Sequence, residues 1–267
     1  MDNFFKYIDN DINVNYLRDE NPNKHNFKMH THENFELYYF FGGNGCFKVE
    51  GNPYHLESGD VLIISPKESH YIDIESGTPY TRLAVHFDKK LFEAIDINGK
   101  LTAPFLEHEI GHFNRYKNAD FETNDYMHYI HNLIKPAEDR RLQIVSNLLP
   151  LLNEISIAYK TKKDDSQNNS LDYQIIRYIN YNLFNQITLD SLCKEFYISK
   201  PQLCRIFKAA TGSTVWDYIT VKRLVAARTL IEDGQSPTTA ATECGFNDYS
   251  AFYRAYKKKY GTSPSEA

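Results

Sequence analysis

The sequence predicts an α+β chain of two unlike parts, a β-barrel or sandwich in front and an all-α module behind, on three observations. Residues 26–90 break into six short aromatic or β-branched runs, NFELYYFF, GCFKVEG, PYHLE, DVLIIS, HYIDIE and TRLAVHF, punctuated by Gly, Pro, Asn and Ser. The stretch KTKKDDSQNNS at 160–170 contains no apolar residue and reads as a linker. Beyond it one helix ending is written twice: CRIFKAATG at 204–212 and YRAYKKKYG at 253–261, 49 positions apart. Two copies are too few for a solenoid and point instead to a duplicated working part.

Taken in order, the six runs suit a small barrel or sandwich. Residues 98–120 carry no clear pattern. From Asn124 the pattern turns helical, with Leu142, Val145, Leu149, Leu152 and Ile155 spaced by three and four residues. That stripe is expected to pack on the barrel or to form a dimer. Pro150 lies inside it and predicts a kink or a split.

After the linker, Leu171, Ile175, Ile176, Ile179 and Leu183 form one apolar stripe, and Thr188 caps a short helix, LDSLCKEFY. Ser199 with Gln202 predicts a capping box for a helix that stops at Gly212. A long helix, VWDYITVKRLVAARTLIE, ends near Gly234. Ser236-Pro237 opens another short helix, and a last one runs from Asp248 to Gly261.

The echo is therefore a short helix, a tight turn and a second helix, made twice. Small or apolar pairs, Leu192-Cys193 and Ala240-Ala241, align in the first helices, at an offset of 48. Arg205 and Lys208 align with Arg254 and Lys257 in the second, so one residue is gained near Gly245. Helical spacing buries Leu203, Ile206 and Phe207 and leaves 201, 202, 204, 205 and 208 on the other face. An exposed Arg-led second helix is the arrangement by which helix-turn-helix units enter the major groove. Arg takes guanine bidentately and Lys neutralises phosphate. A helical bundle with a solvated basic face fits the same periodicity.

Composition narrows the classes. At 267 residues the chain can build two cores. Its 20 Tyr and 17 Phe suit a barrel interior or a sugar-sized pocket. The apolar runs VLII and LLPLL are too short to cross a bilayer, and the acidic opening MDNFFKYIDNDINVNYLRDE has no leader-type core. With Cys46, Cys193, Cys204 and Cys244 in no zinc or redox spacing, a cytoplasmic location is expected. Net charge is −5, divided as +3 over residues 171–267 and −8 over the first 170. A weakly basic module on an acidic one is compatible with nucleic-acid contact.

Residues 171–265 closely resemble the DNA-binding domain of the AraC-type bacterial transcriptional regulators, through ITLDSLCKEFYISKPQLCRIFKAATG, KRLVAARTLI and GFNDYSAFYRAYKKKYGTSP. The resemblance implies two helix-turn-helix units joined by one long helix and no enzymatic role. It places base-edge positions at Pro201, Cys204 and Arg205, and at Tyr249, Ser250, Tyr253 and Arg254, with Gln202 beside them. Pro201 offers no donor and Cys204 a weak one, so Arg205 carries the first unit. Lys208, Lys257 and Lys258 suit phosphate. Operator DNA, a homodimer on paired half-sites and RNA polymerase are the partners this implies.

In the front part, His30-Thr-His32, Glu36, then Gly59-Asp60 leading to Pro66 and His70, resemble the two motifs of the cupin (jelly-roll) barrel. His30, His32, Glu36 and His70 are of the types that hold a divalent transition metal. In regulators this barrel usually senses an effector without metal, so no cofactor is expected and a divalent ion is the alternative. The inward candidates for an effector, a sugar or similar metabolite, are His32, Glu36, Tyr38, His70, Arg82 and His86. Alternation places Arg82, Ala84 and His86 on one face without saying which face is inside. The resulting division is 1–118 for the sensing barrel, 119–160 for a helical dimerisation segment, 161–170 for the linker and 171–267 for the double helix-turn-helix. The alternative from another class is a cupin metalloenzyme using the same four ligands and carrying a helical appendage.

Overall fold

Alternating burial along the strands builds the front domain. A computed structural model describes residues 4–23, 27, 29–75, 77–162 and 170–266. Nine strands form two antiparallel sheets. They are β1 (Phe4–Ile8), β2 (Ile12–Asp19), β3 (Phe35–Gly42), β4 (Gly45–Val49), β5 (Asn52–His55), β6 (Val61–Ile64), β7 (His70–Ile74), β8 (Tyr80–Phe87) and β9 (Arg115–Tyr116). The larger sheet has the order β1-β2-β8-β3-β6-β9 and the smaller β5-β4-β7. Strands β1 and β2 were not expected, although INVNYLRD carries the period-2 signal: Ile12, Val14 and Tyr16 are buried between less buried neighbours.

β3 and β8 pair in the middle of the large sheet, with Glu36 opposite His86 and Leu37 opposite Val85. Because side chains alternate, one face sends Phe35, Leu37, Tyr39, Leu83, Val85 and Phe87 into a core shared with the helices. The other face sends Tyr38, Phe40, Tyr80 and Ala84 between the two sheets. The candidate pocket lies on that second face.

Helices α1 (Ala103–Leu106), α2 (Asp125–Leu133) and α3 (Arg140–Thr161) cover the first face. Pro150 neither ends nor splits α3, which is one helix of 22 residues. Its buried seam is Ile144, Leu148, Leu151, Leu152 and Ile155, all closed to solvent and packed in the barrel core. Of the expected stripe, Leu152 and Ile155 lie in this seam and Val145 and Leu149 are half-buried beside it, while Leu142 is 64% exposed. Of the two uses expected for this stripe, packing on the barrel or forming a dimer, the seam makes the first. The helix also runs through Thr161, and residues 163–169, most of the expected linker, lie outside the described residues.

The rear domain comprises α4 (Leu171–Tyr181), α5 (Leu189–Glu195), α6 (Lys200–Thr211), α7 (Val215–Glu232), α8 (Pro237–Glu243) and α9 (Tyr249–Tyr260). Thr188, Ser199, Thr214, Ser236 and Asp248 each cap the helix that follows by accepting a backbone N–H. At Ser199 the bond from the Gln202 N–H is made at 3.4 Å, but the return bond of a capping box is not. α6 and α9 both end on a left-handed glycine, Gly212 (φ 72°) and Gly261 (φ 79°). No helix among the described residues is long and apolar enough to cross a membrane.

Because Leu148 is fully enclosed, Leu148→Ala is expected to lower unfolding stability by about 2–5 kcal/mol. Leu142→Ala is expected to stay within about 0.5 kcal/mol. Urea midpoints of the two variants check the phase of α3.

Candidate functional site

The rear domain repeats one device. In each unit a short helix (α5, α8) supports a longer one (α6, α9) whose inner face is sealed by Leu203 and Phe207, or by Phe252 and Tyr256. The turns match as well. Tyr197 (φ 54°) and Gly245 (φ 81°), 48 residues apart, both take the left-handed conformation, so the extra residue of the second unit falls after Gly245. A tyrosine concealed that equivalence in the sequence.

On the outer faces, Pro201, Gln202, Cys204, Arg205 and Lys208 of α6 are exposed. So are Tyr249, Ser250, Tyr253, Arg254, Lys257 and Lys258 of α9. Every residue expected to meet DNA is therefore on the surface. Sequence reasoning missed what fixes the two units to each other. Arg223 of α7 donates to the carbonyls of Leu183 (2.7 Å), Asn185 (2.7 Å) and Gly245 (2.6 Å). Only glycine fits at 245, where an added Cβ would stand 2.6 Å from the Phe184 carbonyl oxygen and 2.9 Å from the Arg223 guanidinium carbon.

Between the two sheets of the barrel lies a cavity of about 160 Å³, lined by His30, Glu36, Tyr38, His70, Arg82 and His86 among others. Its centre is the Glu36 carboxylate, which is 4% exposed. One oxygen, Oε2, lies 2.9 Å from His32 Nε2, 3.0 Å from His70 Nε2 and 3.4 Å from His86 Nε2. Alternation on β3 and β8 aims Glu36, Tyr38, Arg82, Ala84 and His86 the same way, which settles the inside face of TRLAVHF.

Burial alone would push the Glu36 carboxyl up, but the imidazoles of His86, His70 and His32 outweigh it and hold the group well below the usual carboxylate range. Burial likewise works against a proton on His70. Glu36 and the Glu68 carbonyl, which lies 3.0 Å from Nδ1, reverse this and raise its pKa. Burial prevails at His32, whose pKa falls. Of these two imidazoles, His70 is thus the better placed to carry a proton. Tyr38 and Tyr80 share a short hydrogen bond, and burial keeps both protonated, with Tyr80 pushed up to about 12. Arg82 is aimed by the Asn15 backbone oxygen (2.7 Å) and side-chain oxygen (3.0 Å).

The donor atoms of His30, His32, Glu36 and His70 all lie within 4.8 Å of one another. Although 3.0 Å from Glu36, the buried Nε2 of His70 is not aligned for a hydrogen bond. Ligands about 2.0–2.2 Å from a shared ion stand at most about 4.4 Å apart, so the four would close in by a few tenths of an ångström, and His32 would exchange its hydrogen bond with Glu36 (2.9 Å) for the ion. The residues fit a divalent metal.

A small polar chamber in a barrel, carried on two exposed Arg-led helix-turn-helix units, defines a ligand-binding, DNA-binding protein. Comparison with known proteins places it further. Residues 15–148 match the family model of the AraC-like ligand binding domain, and residues 192–267 match a helix-turn-helix domain. The HTH-type transcriptional activator RhaS of Mannheimia succiniciproducens is 26% identical over 246 residues, 90% of this chain and 88% of that protein. The probable transcriptional regulator LumQ of Photobacterium leiognathi is 30% identical over 156 residues, 57% of this chain and 62% of that one. Among solved structures, ToxT from Vibrio cholerae aligns over 96% of this chain and 97% of that chain, at 12% identity and a TM-score of 0.43. The chain belongs to the AraC family of transcriptional regulators.

Since Arg223 serves three carbonyls, two of them in part-buried bonds, Arg223→Met is expected to destabilise the rear domain by about 2–3 kcal/mol. Thermal unfolding followed by circular dichroism checks it, and an unchanged midpoint would show that the junction is held by packing alone.

Proposed function

We propose that this regulator senses a small hydroxylated metabolite, a sugar or a close relative, in the barrel chamber and binds paired operator half-sites as a homodimer. The observation that carries the DNA part is the matched exposure of α6 and α9, whose opposite faces are closed by Leu203, Phe207, Phe252 and Tyr256. Arg205 and Arg254 read base edges in the major groove, with Pro201, Gln202, Cys204, Tyr249, Ser250 and Tyr253 shaping the contact. Lys208, Lys257 and Lys258 neutralise phosphates. The relatives named as transcriptional activators support activation as the outcome, with RNA polymerase as the further partner.

The chamber supports a ligand of monosaccharide size or smaller. Arg82, Tyr38 and Tyr80 offer hydrogen bonds to hydroxyl or carboxylate oxygens, and Phe47 supplies an aromatic wall. His30, His32, Glu36 and His70 would hold a divalent transition ion, which would supply Lewis acidity towards the effector's oxygens. Dimerisation uses surface that α3 leaves free, where Leu142 stands exposed.

Arg205→Ala and Arg254→Ala are each expected to cost about 1–3 kcal/mol of specific binding, read by fluorescence anisotropy on a duplex selected by the wild-type protein. Wild-type affinity in either variant would remove that residue from base readout. Protein purified without an affinity tag is expected to contain about one divalent ion per chain by elemental analysis, and His70→Gln to lose it. A metal-free wild type that does not take up zinc or cobalt would remove the ion from the reading.

A further inference from the structure

We propose that the chamber's effector is an acidic monosaccharide, a uronate or an aldonate, bound with its carboxylate on Arg82 and its hydroxyls at the Glu36–histidine end. The inference rests on the sensing reading above and names the class of metabolite that the chamber selects. The pleat gives the chamber two ends. On β8, Arg82, Ala84 and His86 follow one another along the inner face, so Arg82 and His86 stand about 13 Å apart along the strand. On β3 their cross-strand neighbours are, in the same order, Phe40, Tyr38 and Glu36. The middle position of β8 is held by Ala84, the smallest side chain of the lining, which keeps that strand from closing the space between the ends.

The Arg82 end offers donors. On β2, Leu17 stands opposite Arg82 and Asn15 opposite Ala84. Because Arg82 Nη1 reaches the backbone oxygen (2.7 Å) and Oδ1 (3.0 Å) of Asn15, the guanidinium leans along the sheet towards the middle of the chamber. Those two bonds occupy Nη1 and leave the edge formed by Nε and Nη2. Arg82 makes no ion pair among the described residues, and the one carboxylate in the lining, Glu36, stands at the other end. A guanidinium edge grips a carboxylate by two parallel N–H···O bonds. Tyr38 and Tyr80 add to it, since their hydroxyls share one hydrogen bond and so keep one of two protons for a further acceptor. Burial holds both hydroxyls protonated and pushes Tyr80 up to about 12, although Arg82 pulls the other way.

The opposite end accepts as well as donates. Glu36 Oε2 takes the contacts of His32, His70 and His86, so Oε1 has no donor among the described residues. His86 Nδ1 is buried without a partner. Hydroxyl groups fit such a mixed surface, because each donates one proton and accepts on two lone pairs. An ammonium accepts nothing and suits this end less well. A second carboxylate here would meet Glu36, which its imidazoles hold ionised, so charge orients the ligand with its own carboxylate towards Arg82. A neutral sugar of equal size fills the same space of about 160 Å³ but leaves the Arg82 edge without an anion. That unmet edge is where the acid is distinguished from its parent sugar.

Isothermal titration calorimetry on the full chain tests it, with the uronates and aldonates of glucose, galactose and mannose each measured beside the parent sugar. Wild type is expected to bind at least one acid about tenfold tighter than its parent. Arg82→Gln is expected to lose that preference. Arg82→Lys, which keeps the charge but not the paired N–H edge, is expected to retain a reduced one, and it carries the test if the Gln variant does not fold. The ratio of acid to parent affinity is the readout, because a general loosening of the barrel would weaken both ligands alike. A parent sugar bound as tightly as its acid, or a preference undiminished in both variants, would overturn the proposal and leave the sensing of a sugar standing. If neither acids nor parents bound, the sugar reading of the chamber would fall with it.

Discussion

The front domain depends on the period of two in β3 and β8. A strand turns successive side chains to opposite faces, and this pair sits mid-sheet with both faces covered. One parity, Leu37, Tyr39, Leu83 and Val85, anchors the sheet to α2 and α3. The other, Glu36, Tyr38, Arg82, Ala84 and His86, furnishes the chamber. A slip of one residue in the pairing would exchange core for site. The site is therefore as rigid as the core, since the same backbone hydrogen bonds hold both. It also explains how a carboxylate and several imidazoles are kept within a few ångströms of one another: Glu36 stands opposite His86 by register, while His30 bridges to His70 in the neighbouring strand.

Helical period and caps do the equivalent work in the rear domain. Each unit keeps its helix–turn–helix angle through a left-handed turn residue and a side-chain cap, so local chemistry shapes each unit. The relation between units is not local. It is carried by α7, which spans both hydrophobic clusters, and by the Arg223 guanidinium, which fills the acceptors left where α4 ends and the second turn begins. A planar five-donor group suits that junction better than lysine would, because three carbonyls must be met from one point.

Features with local causes were legible in the sequence. Caps, glycine stops, the repeat and the exposed Arg-led faces follow from residue type and spacing, and the AraC and cupin motifs gave the architecture. The four metal-type residues were also legible, because motif spacing on strands survives folding. Partner-dependent features were not. Leu142 was expected in the buried seam of α3 because it resembles Ile144 in residue type, and only what lies against each tells them apart. Tyr197 gives no sign of a left-handed turn, and β2 shows its period of two only through Ile12, Val14 and Tyr16 set among polar residues. Glu50 reads in the sequence as a turn carboxylate between Val49 and Gly51; only the docked helices reveal it as buried and paired.

Energetics separate the two carboxylates on which this molecule turns. Glu36 is surrounded by the imidazoles of His32, His70 and His86, which hold its carboxyl well below the usual range against the pull of burial. Glu50 faces the Lys222 amine, the Asn180 amide, the Tyr218 hydroxyl and the Ser69 backbone N–H, donors drawn from both domains. Its contacts are made or broken only by moving a whole domain. A buried ion pair contributes little net stability compared with apolar packing, because desolvation offsets the attraction. What it does provide is a steep penalty for misalignment, since an unpaired charge in the interface is far worse than a poorly packed methyl.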